Sequence, residues 1–346
     1  MIEEQQNLGW SNFFKTQCKE SELEQYQIAR AFAMQKEMLL LKTIHKEFWL
    51  PLSGKMRAAD PFTVGDWFLF DEAEQKIIRR LNRKSLLKRV TSAKHLYIQL
   101  AAANIDTVFI VSSCNDDFNL ARLERYLTLA QDGGCDAVII LTKSDLCNDI
   151  SPFTLALKEL GDIAYIVVNA LDKKELEEKI LKQCQRGQTI ALMGSSGVGK
   201  STIVNSLLGE EVQRTSSIRQ ADSKGRHTTT HRSVHMLKNG TLLLDSPGIR
   251  ELQLLSSSDA IDTVFDDIIS LAADCKFRDC SHGREIGCNV QKAIKEGKLA
   301  QRRLDNYQKL LFESERGNQK LNQRLKSERK TNRYQKSNKV KYGKFN

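Results

Sequence analysis

One octapeptide in this chain has the residue types and spacing that bind phosphate. Residues 194–201 read Gly-Ser-Ser-Gly-Val-Gly-Lys-Ser, which satisfies the pattern GxxxxGK[ST]. Glycines let the backbone of such a loop curl until several N–H groups point at one anion, and the lysine reaches the β and γ phosphates. The residues predicted to bind nucleotide phosphates are Gly194, Ser195, Ser196, Gly197, Val198, Gly199, Lys200, Ser201 and Thr202.

The flanking segments predict the elements that must position this loop. Thr189 to Met193 is an apolar run of strand length, and Ser201 to Leu208 is typical of a helix that Gly209 stops. A strand, a loop and a helix in this order make a simple Gly/Ser turn the weaker interpretation.

A second motif, Thr142-Lys143-Ser144-Asp145, can recognise guanine. It follows the β-rich run Ala137 to Leu141. The Asp145 carboxylate can accept hydrogen bonds from two guanine N–H groups that adenine does not present, and an unpaired buried polar group makes the wrong base unfavourable. Asn usually stands first in this motif, so Thr142 leaves open an ATP-using enzyme. A further predicted strand, Ile163 to Val168, leads to Asn169 and Ala170, the residues predicted to support the base.

Downstream of the phosphate loop, Leu242 to Leu244 leads into Asp245-Ser246-Pro247-Gly248, which has the form DxxG. Asp245 is predicted to hold Mg²⁺ together with Ser201, and Gly248 to offer its N–H to the γ phosphate. Thr229, within the triplet 228–230, is predicted to sense the γ phosphate and to complete the magnesium site.

The residue after this DxxG element is Ile249, whose aliphatic side chain cannot orient the attacking water as a glutamine does in Ras-like enzymes. Slow intrinsic hydrolysis follows. His227 is the candidate catalytic residue because an imidazole can accept a hydrogen from water, and a polar loop residue without a role is the alternative.

Along the chain, the guanine-recognising motif comes first and the base-supporting residues second. The phosphate loop, the threonine triplet and the DxxG element follow in that order. An ordinary GTPase begins with the phosphate loop, so this chain resembles the circularly permuted GTPases of ribosome biogenesis. A domain whose termini lie close together at its surface tolerates such a permutation.

Cys275, Cys280, His282 and Cys288 have the spacing C-x4-C-x-H-x5-C. Three thiolates and one imidazole predict a closed, structural Zn²⁺ site. Their polar neighbours disfavour a set of reduced core cysteines. The other five, Cys18, Cys114, Cys135, Cys147 and Cys184, are predicted to be reduced thiols.

Together with the segment Ala103 to Val111 and the stretch Asp245 to Leu252, these motifs resemble the ribosome small-subunit-dependent GTPase A family over roughly residues 50–310. The resemblance implies GTP hydrolysis stimulated by the small ribosomal subunit and its rRNA, a role in late maturation of that subunit, and Zn²⁺ and Mg²⁺ as cofactors. It also implies a multidomain fold: an N-terminal OB-fold β-barrel, a central α/β circularly permuted P-loop GTPase domain, and a small C-terminal zinc-binding domain with helices and a basic tail.

The expected boundaries are 1–23 for a flexible or partly helical extension, 24–92 for the OB-fold, 93–256 for the GTPase domain, 257–312 for the zinc-binding domain and 313–346 for the tail. Helix propensity competes in Gln25 to Lys46, but the resemblance predicts mostly strands there. Pro61 to Phe70 has the turn and strand character of a small barrel.

The chain carries 53 Lys and Arg against 43 Asp and Glu, a net charge of +10. Residues 316–346 contain eleven basic side chains and one acidic one, Glu328, so the net charge of this segment equals the whole excess of the chain. This segment suits phosphate neutralisation on RNA and is predicted to be disordered or a solvated helix. A solubilising tail is the alternative. A second basic cluster, beginning at Arg79 and ending at Lys94, is a linker surface or an RNA contact.

No basic leader and no long apolar run is present, so we expect a cytoplasmic protein without a membrane segment. We also expect a monomer. An RNA-binding scaffold or chaperone that uses the nucleotide only as a structural ligand is the alternative function.

Overall fold

The computed structural model describes residues 2–35, 37–52, 61–91, 97–209, 232–245 and 257–342. Contacts divide the chain into two compact units. One contains Met1–Arg89 and Leu100–Leu252, and the other contains Val90–Gln99 and Gln253–Asn346.

The first unit begins with three short helices and five antiparallel strands. The helices are α1 (Ile2–Asn7), α2 (Asn12–Lys15) and α3 (Glu20–Gln25). The strands are β1 (Gln27–Gln35), β2 (Met38–Lys42), β3 (Glu47–Pro51), β4 (Trp67–Asp71) and β5 (Lys76–Arg80), in the order β3-β2-β1-β4-β5. Residues that propensity alone assigns to a helix thus form β1 and β2. Packing overrides propensity here because the small side chains of β1 lie buried against Leu39, Leu41, Phe68 and Phe70.

A two-stranded sheet of β6 (Leu86–Thr91) and β7 (Tyr97–Ala103) precedes the larger sheet. The strands of the larger sheet are β8 (Thr107–Ser113), β9 (Asp136–Thr142), β10 (Tyr165–Val167), β11 (Thr189–Gly194), β12 (Arg232–Met236) and β13 (Leu242–Asp245). Its helices are α4 (Leu120–Asp132), α5 (Ser151–Leu157), α6 (Lys173–Leu181) and α7 (Lys200–Leu208), with 3-10 turns at Ser144–Leu146 and Lys158–Leu160.

These six strands have the order β10-β9-β8-β11-β13-β12, and all neighbours are parallel except β12. Parallel strands are buried on both faces, which explains their apolar runs. The core between the sheet and its helices includes Phe109, Ile140, Ile190, Ile203 and Leu243.

Strand β1 also pairs with β12, with Ala33 opposite Ser233 and Met34 opposite Arg232. The N-terminal strands and the GTPase-like strands therefore share one hydrogen-bonded sheet, and both belong to the first unit. Strand β12 begins at Arg232, two residues after the predicted threonine triplet 228–230 in the sequence.

The N-terminal helices pack onto this unit through Arg30, whose side chain is buried. Its guanidinium donates to the carbonyl oxygen of Leu8 at 2.6 Å, to that of Asn104 at 3.0 Å and to Thr189 Oγ1 at 2.9 Å. Burial lowers the pKa of Arg30 to about 10, so the side chain stays charged near neutral pH. One residue of β1 thus joins the N-terminal segment to the residue after β7 and to the start of β11.

Residues of the basic cluster after β4 are engaged within the protein. Arg79 bonds Glu22 at 2.9 Å, Arg83 bonds Asp66 at 2.6 Å, and Lys84 bonds Asp106 at 2.9 Å. For these three residues the contacts favour an internal role over RNA binding.

Gly65 lies where β1 and β7 approach closely. Its φ is +92°, and a Cβ there would stand 1.9 Å from the carbonyl oxygen of Ala103. We expect Gly65→Ala to lower the free energy of unfolding by about 3 kcal/mol, because the backbone must shift as well as bear the strain. Gly161→Ala is the control: Gly161 has φ +85° with nothing within 4 Å of its Cβ position, so strain alone predicts a loss of about 1 kcal/mol. Urea denaturation of both variants measures the difference, and equal losses would contradict the steric argument.

The second unit contains α8 (Ser258–Val264), α9 (Asp266–Ala273), α10 (Asn289–Lys295) and α11 (Gln301–Tyr342). Arg303 of α11 bonds both Asp267 carboxylate oxygens, at 2.6 and 2.8 Å, and lies over the Phe265 ring. Helix α11 continues without a break past residue 312, so its backbone spans both the end of the expected zinc-binding domain and most of the expected tail.

None of the described helices combines the length and apolar character that crossing a lipid bilayer requires.

Candidate functional site

The predicted nucleotide-binding residues converge at one edge of the larger sheet. Thr142 ends β9, Asn169 follows β10, the phosphate loop follows β11, and Asp245 ends β13. These strands are parallel members of one sheet, so their carboxyl ends lie at the same edge, where open α/β sheets bind ligands. The described parts of motifs that are separated in sequence therefore lie together at this edge.

The phosphate loop leaves β11 in close contact with β8. Gly194 has φ +151°, and a Cβ there would stand 2.3 Å from the carbonyl oxygen of Val111, so this position requires glycine. Gly199 caps α7 in the left-handed conformation, and the helix begins at Lys200. The loop thus presents the N-terminus of a helix, where backbone N–H groups and the helix dipole favour an anion.

Lys200 is 6% exposed and folds over the loop that it follows. Its Nζ donates to the carbonyl oxygen of Gly194 at 2.8 Å and also contacts that of Ser195. These carbonyl groups hold the ammonium group beside the loop, where phosphate oxygens can replace them as acceptors.

Thr142 joins the base-reading motif to the phosphate loop. Its side chain is fully buried, and its hydroxyl donates to the carbonyl oxygen of Val198 at 2.7 Å, with that of Ser112 at 3.1 Å. Threonine at this position therefore still supplies a hydrogen-bonding side chain that reaches the phosphate loop. Recognition of the base is left to the residues that follow Thr142.

The backbone turns sharply after Thr142. Lys143 has φ +60°, and Ser144–Leu146 form a 3-10 turn that leaves Asp145 exposed. The neighbouring loop is ordered by Asn169, whose Oδ1 accepts from the N–H of Leu171 at 2.9 Å, while Ala170 is buried. An exposed carboxylate beside a fixed loop can accept hydrogen bonds from a base.

We expect Thr142→Val to weaken GTP binding about tenfold. Valine keeps the shape of threonine but removes the hydroxyl, and a buried carbonyl oxygen left without its donor costs about 1–3 kcal/mol. Thr142→Ser, which keeps the hydroxyl, should stay within about threefold of the wild type. Direct binding of a fluorescent GTP analogue measures both, and equal affinities for the valine variant and the wild type would contradict this role.

An arginine that the sequence motifs did not indicate also reaches the phosphate loop. Arg122 Nη1 donates to Ser195 Oγ at 2.5 Å and to Asp117 Oδ1 at 2.9 Å. The only sequence signal is a polar segment between a buried strand and a helix, which is common and does not specify a contact.

Cys275, Cys280, His282 and Cys288 form one cluster in the second unit, and their ligand atoms all lie within 4.8 Å of one another. Sγ of Cys275 is 3.7 Å from His282 Nδ1 and 3.9 Å from Sγ of Cys288, which is itself 3.6 Å from that nitrogen. A tetrahedron with metal–sulfur bonds of about 2.3 Å has edges of about 3.8 Å, so the donor set is compatible with zinc.

Surrounding groups orient these ligands. The N–H groups of Asn289 and Gln291 donate to Sγ of Cys275 and Cys288, at 3.3 and 3.4 Å. At Cys275, backbone N–H donors such as that of Asn289 lower the pKa of the thiol and favour the thiolate, the form that binds metal. Burial lowers the pKa of His282, which favours the neutral imidazole that a metal requires.

Glu285 orders the turn between the ligands. Its carboxylate accepts from the side chain and N–H of Ser281 and from the N–H of Gly283, and these bonds lower its pKa to about 2. His282 adopts φ +60° within this turn.

Three predicted site residues, His227, Thr229 and Gly248, lie outside the described ranges.

Comparison with known proteins agrees with this architecture. A family model described as RsgA GTPase matches residues 80–255. The chain is 45% identical over 307 residues to a Vibrio parahaemolyticus protein named small ribosomal subunit biogenesis GTPase RsgA 2, with 88% of this chain and 84% of the relative covered. It is 42% identical over 313 residues to a Mesorhizobium japonicum protein named small ribosomal subunit biogenesis GTPase RsgA, with 89% of each covered.

Two solved structures share the fold. The crystal structure of YjeQ from Thermotoga maritima matches with a TM-score of 0.62 at 23% identity, covering 83% of this chain and 98% of the other. The crystal structure of YloQ, described as a circularly permuted GTPase, matches with a TM-score of 0.60 at 20% identity, covering 86% and 98%. The central fold is therefore that of a circularly permuted GTPase.

Proposed function

Because this chain belongs to the RsgA GTPase family, we propose that it hydrolyses GTP while bound to the small ribosomal subunit and assists the late maturation of that subunit. Subunit binding stimulates hydrolysis, and hydrolysis is coupled to release. The relatives' names, at 41–45% identity over most of the chain, support the subunit as partner.

The bond between Thr142 and the Val198 carbonyl is the observation that carries the nucleotide-binding part of this proposal. It couples the base-reading strand end directly to the phosphate loop. A guanine held beside Asp145 and phosphates held at Lys200 then belong to one bound nucleotide. A scaffold that uses the nucleotide only as a structural ligand would bind it at the same residues, so turnover separates the two functions.

The individual roles follow from the chemistry of each side chain. Lys200 and the loop N–H groups bind the β and γ phosphates, and Asp145 selects guanine. Ser201, Thr229 and Asp245 would hold Mg²⁺, which supplies charge neutralisation at the phosphates. His227 would orient the attacking water. That assignment fails if His227→Ala retains subunit-stimulated turnover.

We propose that the remaining elements bind ribosomal RNA. The strand order β3-β2-β1-β4-β5 is consistent with an OB-fold, a fold that binds oligonucleotides. We assign Zn²⁺ to the Cys3His cluster as a structural ion, and we keep the domain boundaries 24–92, 93–256 and 257–312. The basic segment 313–346 would neutralise RNA phosphates. We propose that the protein acts as a monomer, in the cytoplasm where ribosomes assemble.

GTP turnover with and without purified small subunits tests the proposal, at low and at physiological salt. We expect clear stimulation that weakens steeply as salt rises, because RNA binding releases counterions. Large subunits at equal concentration are the control for nonspecific RNA effects. Absence of stimulation would overturn the proposal in favour of an RNA-binding scaffold.

A second part of the same experiment tests the basic segment 313–346. Changing Lys326, Arg329, Lys330 and Arg333 to Gln removes four positive charges without removing the segment. The variant should need more subunit for half-maximal stimulation and should show a smaller salt dependence. Turnover without the subunit should be unchanged. An unaltered salt dependence would remove this segment from the proposed RNA contact.

A further inference from the structure

We propose that Arg122 is a positioning residue of the nucleotide site, which holds the start of the phosphate loop in its binding conformation through the hydroxyl of Ser195. This inference rests on the proposed GTPase function and assigns one more residue to the same site.

Strand β8 and helix α4 place Arg122 next to the phosphate loop. Strand β8 pairs with β11 in parallel, with Val111 opposite Gly194, so the segments that follow both strands leave the same edge of the sheet. Helix α4 follows β8, and its N-cap Asn119 accepts from the N–H of Arg122 at 2.9 Å. Arg122 therefore lies in the first turn of α4, on the side of the sheet edge where the phosphate loop begins.

The guanidinium group is held in place by a short series of contacts that starts on β8. The hydroxyl of Ser113 lies 2.7 Å from Asn115 Oδ1, which also accepts from the N–H of Asp117 at 3.1 Å. Asp117 Oδ1 then accepts from Arg122 Nη1 at 2.9 Å, and the same nitrogen donates to Ser195 Oγ at 2.5 Å. A strand, a loop and a helix thus orient the side chain toward the phosphate loop.

The contact with Ser195 carries the role, and the contact with Asp117 does not. The side chains of Arg122 and Asp117 are 37% and 41% exposed, and an ion pair that is this exposed stabilises little. Ser195, in contrast, is the first variable residue of the loop, where its backbone direction determines how the following N–H groups point.

Ser195 is held at two atoms. Its carbonyl oxygen contacts Lys200 Nζ, and its hydroxyl accepts from Arg122. When Lys200 turns to the phosphates, the carbonyl loses that contact, while the hydroxyl can keep its own. Arg122 then restrains the start of the loop during nucleotide binding.

Equilibrium binding of GDP and of a non-hydrolysable GTP analogue tests this role. We expect Arg122→Ala to raise both dissociation constants about tenfold, the effect of one lost charge-assisted hydrogen bond. The value of kcat at saturating GTP should be unchanged, because the restraint acts equally in the ground state and the transition state. Arg122→Lys keeps a donor and the charge and should stay within about threefold of the wild type.

A double-mutant cycle with Ser195→Ala separates positioning through Ser195 from a general effect of charge. We expect Ser195→Ala to resemble Arg122→Ala and the double variant to be no worse than either. Arg125→Ala, which removes the same charge from the same helix, is the matched control and should bind both nucleotides like the wild type. Wild-type affinity in Arg122→Ala, or additive losses in the double variant, would overturn the proposal. Missing subunit stimulation would instead count against the proposed function and would leave these affinities as the measure of Arg122.

Discussion

Replacing Lys200 with alanine is expected to weaken GTP binding about 100-fold. Lys200 Nζ is held against the loop carbonyl groups of Gly194 and Ser195, so little reorganisation precedes its contact with phosphate. A charge-assisted hydrogen bond in a partly buried site is worth about 1.5–3 kcal/mol, and a lysine that bridges two phosphates makes more than one. The fluorescent analogue binding assay measures the loss.

The control for this prediction is Lys174→Ala, which removes a lysine from the exposed surface of α6. It should leave GTP affinity within about twofold, because exposed charges distant from a ligand are screened by salt. If Lys200→Ala binds GTP within threefold of the wild type, the loop 194–201 is not the phosphate site. Subunit-stimulated turnover should fall together with affinity in the same variant.

Replacing Cys275 with serine is expected to release the bound metal and to unfold the region around it. Structural zinc contributes on the order of 10 kcal/mol to small domains, since a preformed site does not exist in the unfolded chain. The segment 275–288 has few buried apolar side chains of its own, with Cys288 among them, so the metal supplies much of its stability. We expect about one zinc ion per wild-type chain by elemental analysis and almost none in the variant.

Limited proteolysis should then cut the variant within residues 275–300, where the wild type resists. Guanine-nucleotide binding should change by less than about threefold, because Thr142, Asp145 and the phosphate loop belong to the other compact unit. Cys184→Ser, which alters a half-buried thiol outside the cluster, is the control and should retain zinc and protease resistance. A variant that keeps full zinc content would contradict the assignment of Cys275 as a ligand.

Agreement between sequence and structure is closest where the pattern is local. The predicted strand and helix around the phosphate loop are β11 and α7, and Gly209 caps the helix as expected. The run before Asp145 is β9. Local patterns succeed because strand burial, glycine conformation and capping depend on neighbouring residues.

Agreement is weaker where the outcome depends on distant partners. Residues 1–23 were expected to be flexible or partly helical. Short helices there pack against the first unit, with Trp10 and Phe14 against Trp67 and Leu8 accepting from Arg30. The polar composition of residues 1–23 gives no sign of this packing, because only a few of their side chains make the contacts. Likewise, basic residues that sequence could assign to RNA are paired internally at Arg79 and Arg83.

The sequence by itself predicted the chemistry of this protein: a phosphate loop, a guanine-recognising carboxylate at Asp145, the permuted order of the two motifs, and four residues with the spacing of metal ligands. Each motif is a local string whose residue types define it, and the order of the motifs is read directly along the chain. Only the tertiary structure decided that Thr142 bonds Val198, that Arg122 reaches Ser195 and that β1 pairs with β12. These contacts join residues far apart in the chain, and their geometry exists only once the sheet has brought the strand ends to one edge.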